Sequence, residues 1–183
     1  MTEIFPHRLP GDPVPEQEIA RMLRVDHTGE YGATRIYKGQ LDVLGRGRSV
    51  AVIRRMAEAE QRHLTRFEAL LRERRVRPTL LQPLWSVAGY AVGAATALLG
   101  ERAAMACTIA VEEVIDGHYA RQVSQLDQDE APLREQLERF REDERAHGAT
   151  ARAAGGAELP GYPVLAAAIK AGSRLAIWLS ERI

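Results

Sequence analysis

Four glutamates stand where a helical sequence should place hydrophobes. Glu30, Glu60, Glu112 and Glu144 each interrupt an apolar stripe, and each belongs to a different stripe. A carboxylate buried alone costs several kcal/mol even after relaxation. One inward glutamate could be an error of helical phase, but four, one per stripe, require a shared counter-charge. Two of them are followed three residues later by histidine, in Glu60-Gln-Arg-His63 and Glu144-Arg-Ala-His147. On a helix, residues i and i+3 share a face, with Cβ atoms about 5–6 Å apart, so such a pair can reach one ion. A single Glu-x-x-His occurs by chance in many helical chains. Two copies on separate helices, with a lone glutamate on each of two others, match a dinuclear carboxylate site inside a four-helix bundle. Two divalent ions would balance the four carboxylates. Without metal these groups repel one another and some take up protons. Oxygen-rich ligation with one imidazole per ion suits iron or manganese.

Ligating imidazoles are usually held by their other ring nitrogen. Asp143, beside Glu144, is placed to reach across to His63. Asp26, one turn before Glu30, is placed to serve His147, and Asp116 lies one turn after Glu112. Each aspartate reads equally well as part of a solvated helix face.

The elements that must carry these residues follow from three- and four-residue apolar steps. Residues 1–15 hold Pro6, Pro10, Pro13 and Pro15 and read as an extended lead-in to a single domain over 16–183. The first stripe runs through Ile19, Leu23, Glu30, Tyr37 and Leu44 and ends at Gly45-Arg46-Gly47-Arg48, with Ser49 as a candidate N-cap. The second runs through Ile53, Met56, Glu60, His63, Phe67 and Leu70 to about Val76, before Pro78. The third is Met105, Thr108, Glu112, Ile115, Tyr119, Val123 and Leu126. The fourth is Leu133, Leu137, Phe140, Glu144, His147 and Ala151, with Pro132 suited to a first turn.

Two further segments are apolar. Residues 78–100 contain no charged residue. That length could span a bilayer, but a buried or surface-embedded helix is the reading adopted. Residues 163–183 form a last amphipathic helix with Lys170, Arg174 and Arg182 opposite its apolar face. It either closes the bundle or lies on a membrane surface. The expected fold is therefore all-α, a four-helix bundle with an additional C-terminal amphipathic helix.

Composition narrows the function. Twenty-five Lys and Arg offset 25 Asp and Glu, which leaves no net basic surface for nucleic acid. One cysteine, Cys107, excludes an internal disulfide and any multi-cysteine metal site. The first residues show neither a secretory signal nor a transit peptide, pointing to a reducing, cytoplasmic setting. No Gly-x-Gly-x-x-Gly follows a strand pattern, so reducing equivalents should come from the substrate or a partner protein.

Val25-Asp26-His27-Thr28-Gly29-Glu30-Tyr31-Gly32-Ala33, Ala110-Val111-Glu112-Glu113 and Leu175-Ala176-Ile177-Trp178-Leu179-Ser180-Glu181-Arg182 resemble the demethoxyubiquinone (demethoxyubiquinol) hydroxylases of ubiquinone biosynthesis. The resemblance runs from about residue 19 to 183. It implies a ferritin-like fold and two iron ions held by Glu30, Glu60, His63, Glu112, Glu144 and His147, with Glu60 and Glu144 bridging. The implied activity is ring hydroxylation of a polyprenylated benzoquinol with O2, the penultimate step of the pathway. The implied setting is peripheral, on the cytoplasmic face of the cell membrane beside other ubiquinone-biosynthesis proteins. Some members carry His-His-Tyr beyond the third-helix ligand. Here the residues are Gly117-His118-Tyr119, leaving His118 and Tyr119 as candidates for quinol contact or for electron and proton delivery. His27 and Tyr31 read as packing residues beside Glu30.

Two alternatives share the composition. A ferritin-like iron-storage or peroxide-scavenging protein could use the same ligands, although the long uncharged segment suits a cage surface poorly. A non-catalytic membrane scaffold leaves four inward glutamates unexplained. The apolar last helix could also pair protomers into a homo-oligomer.

Overall fold

The computed structural model describes residues 15–183. The lead-in expected over 1–15 therefore lies, up to residue 14, outside the described residues, and Pro15 already opens the first helix. Six helices follow: α1 (Pro15–Leu44), α2 (Val50–Glu73), α3 (Gln82–Leu98), α4 (Glu101–Gln125), α5 (Ala131–Ala153) and α6 (Tyr162–Ser180). No strand occurs among the described residues.

The four glutamate-bearing stripes become α1, α2, α4 and α5. Short connections pair α1 with α2 and α4 with α5, and the link between the pairs contains α3. Gly45, at φ 58°, lets α1 stop after Leu44. The second helix ends at Glu73, short of Val76, because Arg75 enters the left-handed region at φ 55°. Ser49 does not cap α2 with its side chain. It has helical dihedrals, and its hydroxyl instead donates to Glu101 Oε2 at 2.7 Å. Pro132 sits in the first turn of α5, where its missing N–H leaves no bond unmade.

Residues 78–100 are neither a span nor fully buried. No helix among the described residues is long and apolar enough to cross a membrane. Helix α3 lies along α1 at close range because glycines meet there: a methyl on Gly93 would strike the Ile36 carbonyl oxygen, and one on Gly39 the Tyr90 carbonyl oxygen. The C-terminal helix packs mainly on α4 and touches α1, while Leu175 and Trp178 remain exposed.

Two apolar clusters build the core. One joins Leu23, Phe67, Leu70, Tyr119, Leu137 and Phe140. The other joins Tyr37, Ile53, Met56, Met105, Ile109 and Ala151. Each ligand candidate falls between them in its own helix: Glu30 between Leu23 and Tyr37, Glu60 and His63 between Met56 and Phe67, Glu112 between Ile109 and Tyr119, Glu144 and His147 between Phe140 and Ala151. The fold thus holds a polar layer between two dry ones.

Candidate metal centre

All six candidate ligands converge. Glu30, Glu60 and Glu144 are fully buried, and Glu112, His63 and His147 nearly so. Their donor atoms form two overlapping groups, Glu30–Glu60–His63–Glu144 and Glu60–Glu112–Glu144–His147, each with its atoms within 4.8 Å of one another. Glu60 and Glu144 belong to both groups, which is the arrangement two ions sharing two carboxylates would need.

Polar satisfaction provides the test of fit. Both oxygens of Glu60 and Glu144, Oε2 of Glu30 and of Glu112, and Nδ1 of His63 and His147 are buried without hydrogen-bond partners. Such atoms should be paired in a folded protein. Here they face one another: His147 Nδ1 is 2.9 Å from Glu60 Oε1 and His63 Nδ1 is 3.2 Å from Glu144 Oε1. The donor set, four carboxylates and two imidazoles, fits two divalent ions.

Electrostatics without metal agree. Burial, reinforced by the neighbouring carboxylates, pushes Glu60 and Glu112 well above the usual carboxylate range. Burial also raises Glu144, partly offset by His63. Burial lowers the pKa of His63, but the Glu144 and Glu30 carboxylates outweigh it and bring the ring up to about 10. Four carboxylates held this way require a shared positive charge, which two divalent ions would supply.

The surrounding hydrogen bonds partly match expectation. His63 Nε2 lies 3.0 Å from Asp143 Oδ2, as anticipated. Asp26 does not serve His147. It faces α4, accepting from Gln122 Nε2 at 2.7 Å and lying 3.3 Å from His118 Nε2. Asp116 is not a partner of either imidazole. Its Oδ1 accepts from Arg141 Nε at 2.7 Å and Arg145 Nε at 2.9 Å on the outer side of α5. Glu113, one residue from Glu112, points away and pairs with Arg152 and Lys170.

Tyr119 reaches the cluster and His118 does not. The Tyr119 hydroxyl donates to Glu30 Oε1. His118, itself buried, sits between Asp26, Gln122 and Arg121. His27 is buried with its ring stacked on Tyr31 at 6.5 Å, a packing role. Sequence reasoning missed Tyr37, whose hydroxyl donates to Glu112 Oε1 at 2.6 Å. Its signal was a tyrosine two turns after Glu30 on the same stripe, which reads as core. Gln122, one turn after His118, was also missed.

Beside the cluster lies a cavity of about 470 Å³ between α1, α3, α4 and α6. Its walls are almost wholly apolar, with Ala33, Ile36, Val111, Ile115 and Ile169 among them. Gly29 and Val111, the chain neighbours of Glu30 and Glu112, are among the residues that line it.

Comparison with known proteins adds the family. A family model described as "Ubiquinone biosynthesis protein COQ7" matches residues 17–180. A 3-demethoxyubiquinol 3-hydroxylase of Rhodospirillum rubrum is 56% identical over 177 residues, covering 96% of this chain and 84% of that protein. The human NADPH-dependent 3-demethoxyubiquinone 3-hydroxylase, mitochondrial, is 46% identical over 176 residues, covering 94% of this chain and 81% of that one. The 5-demethoxyubiquinone hydroxylase, mitochondrial, of Saccharomyces cerevisiae is 40% identical over 180 residues, covering 89% and 77%. The match runs from the first turn of α1 to the last residue of α6 and takes in every helix that carries a candidate ligand, so the chain belongs to the ubiquinone biosynthesis protein COQ7 family.

Proposed function

We propose that this protein is a 3-demethoxyubiquinol 3-hydroxylase, a two-iron monooxygenase that adds one oxygen atom of O2 to the ring of a polyprenylated benzoquinol. The observation that carries this reading is the pair of overlapping ligand groups sharing Glu60 and Glu144, set against an apolar cavity. Glu30, Glu60, His63, Glu112, Glu144 and His147 would hold the metal. When bound, the two irons would supply O2 activation; the second oxygen atom would leave as water, with the two electrons this requires coming from the quinol or a partner protein.

The chain itself supplies geometry, proton placement and dryness. Tyr119 and Tyr37 each donate to one oxygen of a terminal glutamate, Glu30 or Glu112, leaving the other oxygen aimed at the cluster. Burial first, and the nearby glutamates second, push both phenols well up, so they remain donors at neutral pH. Asp143 accepts from His63 Nε2–H, which selects the tautomer whose Nδ1 lone pair faces the cluster. Tyr119 is the group that carries a proton to the Glu30 carboxylate. His118, buried in contact with Asp26 and Gln122 and touching the exposed Arg121, relays protons between solvent and this side of the site. The cavity receives the quinol ring at its inner end and the first prenyl units along α3 and α6, and excludes water.

The outer surfaces suit a membrane-bound substrate. Leu84 and Val87 on α3 are 53% and 69% exposed, and Leu175 and Trp178 on α6 are 55% and 50% exposed. These side chains dock the protein peripherally on the cytoplasmic face of the membrane, with Arg182 over the Trp178 ring at headgroup level. That surface also brings it beside other ubiquinone-biosynthesis proteins, or a second copy of itself.

Metal analysis with turnover tests the proposal. The protein is reconstituted with Fe(II) without oxygen, desalted, and mixed with a demethoxyubiquinol and 18O2. About two irons per chain and a product carrying one 18O atom are expected. Iron far above two per chain would favour storage, and protein without bound metal or product would overturn the reading.

A further inference from the structure

The apolar cavity has a weak seam. Helices α3 and α6 both wall it, yet they hardly touch each other along their lengths. Among the described residues, the one polar contact across the seam is at its end, where Trp85 Nε1–H donates to Ser180 Oγ at 3.0 Å. Ser180 is fully buried, and the indole of Trp85 is half-buried and itself lines the cavity. Helix α6 is held to α4 a few turns earlier, through Lys170 and Glu113. The exposed apolar residues Leu84, Val87, Leu175 and Trp178 lie on the two helices flanking the seam.

We infer that Trp85 and Ser180 form the latch of a portal between α3 and α6, and that Trp85 is a specificity-determining residue that controls passage of a long apolar chain into the cavity. This rests on the proposed quinol hydroxylation and names its entry route. A neutral hydrogen bond with one partner half-exposed is easily broken and remade. The hinge is placed to suit: α6 stays pinned at Lys170 while its last turns swing. A ring-sized substrate passes without this motion, whereas a prenylated one needs the gap open for the tail to lie across it. Gly172, Ala168 and Ala176 on the cavity side of α6 present no bulk that would resist the swing.

The test uses two latch variants in the iron-loaded full chain, Ser180→Ala, which removes the acceptor, and Trp85→Phe, which keeps a ring and removes the donor. For each, kcat and KM are measured on demethoxyubiquinols with long, short and no prenyl tails. Both variants should change kcat/KM for the long-tailed substrate about five-fold more than for the tail-less one, through KM, and Ser180→Ala, which lies outside the cavity lining, should leave kcat and the tail-less substrate unaffected. A readout without turnover accompanies this. Trp178→Phe leaves Trp85 as the sole tryptophan, because the chain has two. Quenching of its emission by a prenylated quinone should saturate and strengthen with tail length, and Ser180→Ala should shift that dependence. Equal effects of the latch variants on all tail lengths, or none, would overturn the portal. If wild-type protein neither turns over nor binds any quinone, it is the hydroxylase reading that fails.

Discussion

Stripping the metal from this protein should make its stability fall as pH rises from 6.5 towards about 8. The unmetallated cluster holds protons that the unfolded chain releases. His63 has its pKa raised from 6.5 to about 10. A group raised on folding contributes its full stabilisation below the unfolded pKa and loses it as pH climbs towards the folded one. At about 1.4 kcal/mol per pH unit, His63 alone accounts for ~5 kcal/mol across its whole range and ~2 kcal/mol between pH 6.5 and about 8. Glu60, Glu112 and Glu144 are raised too, so they remain protonated in the fold after the unfolded chain has ionised, and their contribution has the same sign. His147 is lowered by burial and acts in the opposite sense, but only below 6.5. For a chain of this size 1 kcal/mol moves Tm by about 2–4 °C, so the metal-free protein should melt at least about 4 °C lower at the higher pH. Metal-loaded protein should show little dependence in that window, because metal has replaced the protons. Thermal melts of chelated and iron-loaded protein at the two pH values decide it. A metal-free Tm that is flat or rises with pH would refute the shared-charge account of the four glutamates.

Substitutions test the separate parts. Glu144→Ala removes a carboxylate common to both ligand groups, so bound iron should fall below about one per chain and turnover should vanish; retained hydroxylation would break the assignment. Glu113→Ala loses only the ties to Arg152 and Lys170, and full iron content by elemental analysis is expected. Tyr37→Phe leaves Glu112 Oε1 without its donor and should cost about 1.5–3 kcal/mol in urea unfolding while iron still binds. Gly93→Ala drives a methyl into the Ile36 carbonyl of α1, and the α1–α3 seam should yield at a cost of about 1–3 kcal/mol, seen as a lower urea midpoint with unchanged slope.

The convergence of the six candidate ligands was legible in the sequence because its signal is local and chemical. Glu60 with His63, and Glu144 with His147, are one helical turn apart, and helical periodicity alone brings each pair to one face. That Glu30 and Glu112 join them followed from charge, since no other arrangement disposes of four inward carboxylates. Helix ends were legible where Gly45 or Pro132 acts on the backbone directly. What escaped depended on crossing angle and rotation about the helix axis. Asp26 lies one turn from Glu30, yet it faces Gln122 and His118 on α4 and not His147 on α5. Tyr37 looked like core because its ring is core, and only the position of α4 brings Glu112 to its hydroxyl. The uncharged segment that became α3 had no polar face to tell inside from outside. Its placement was decided by the shape of the glycine faces on α1 and α3, and with it the cavity and the seam to α6. Periodicity and residue chemistry determined which groups turn inward, whereas the distances between helices, set by packing of whole surfaces, decided which of those groups meet.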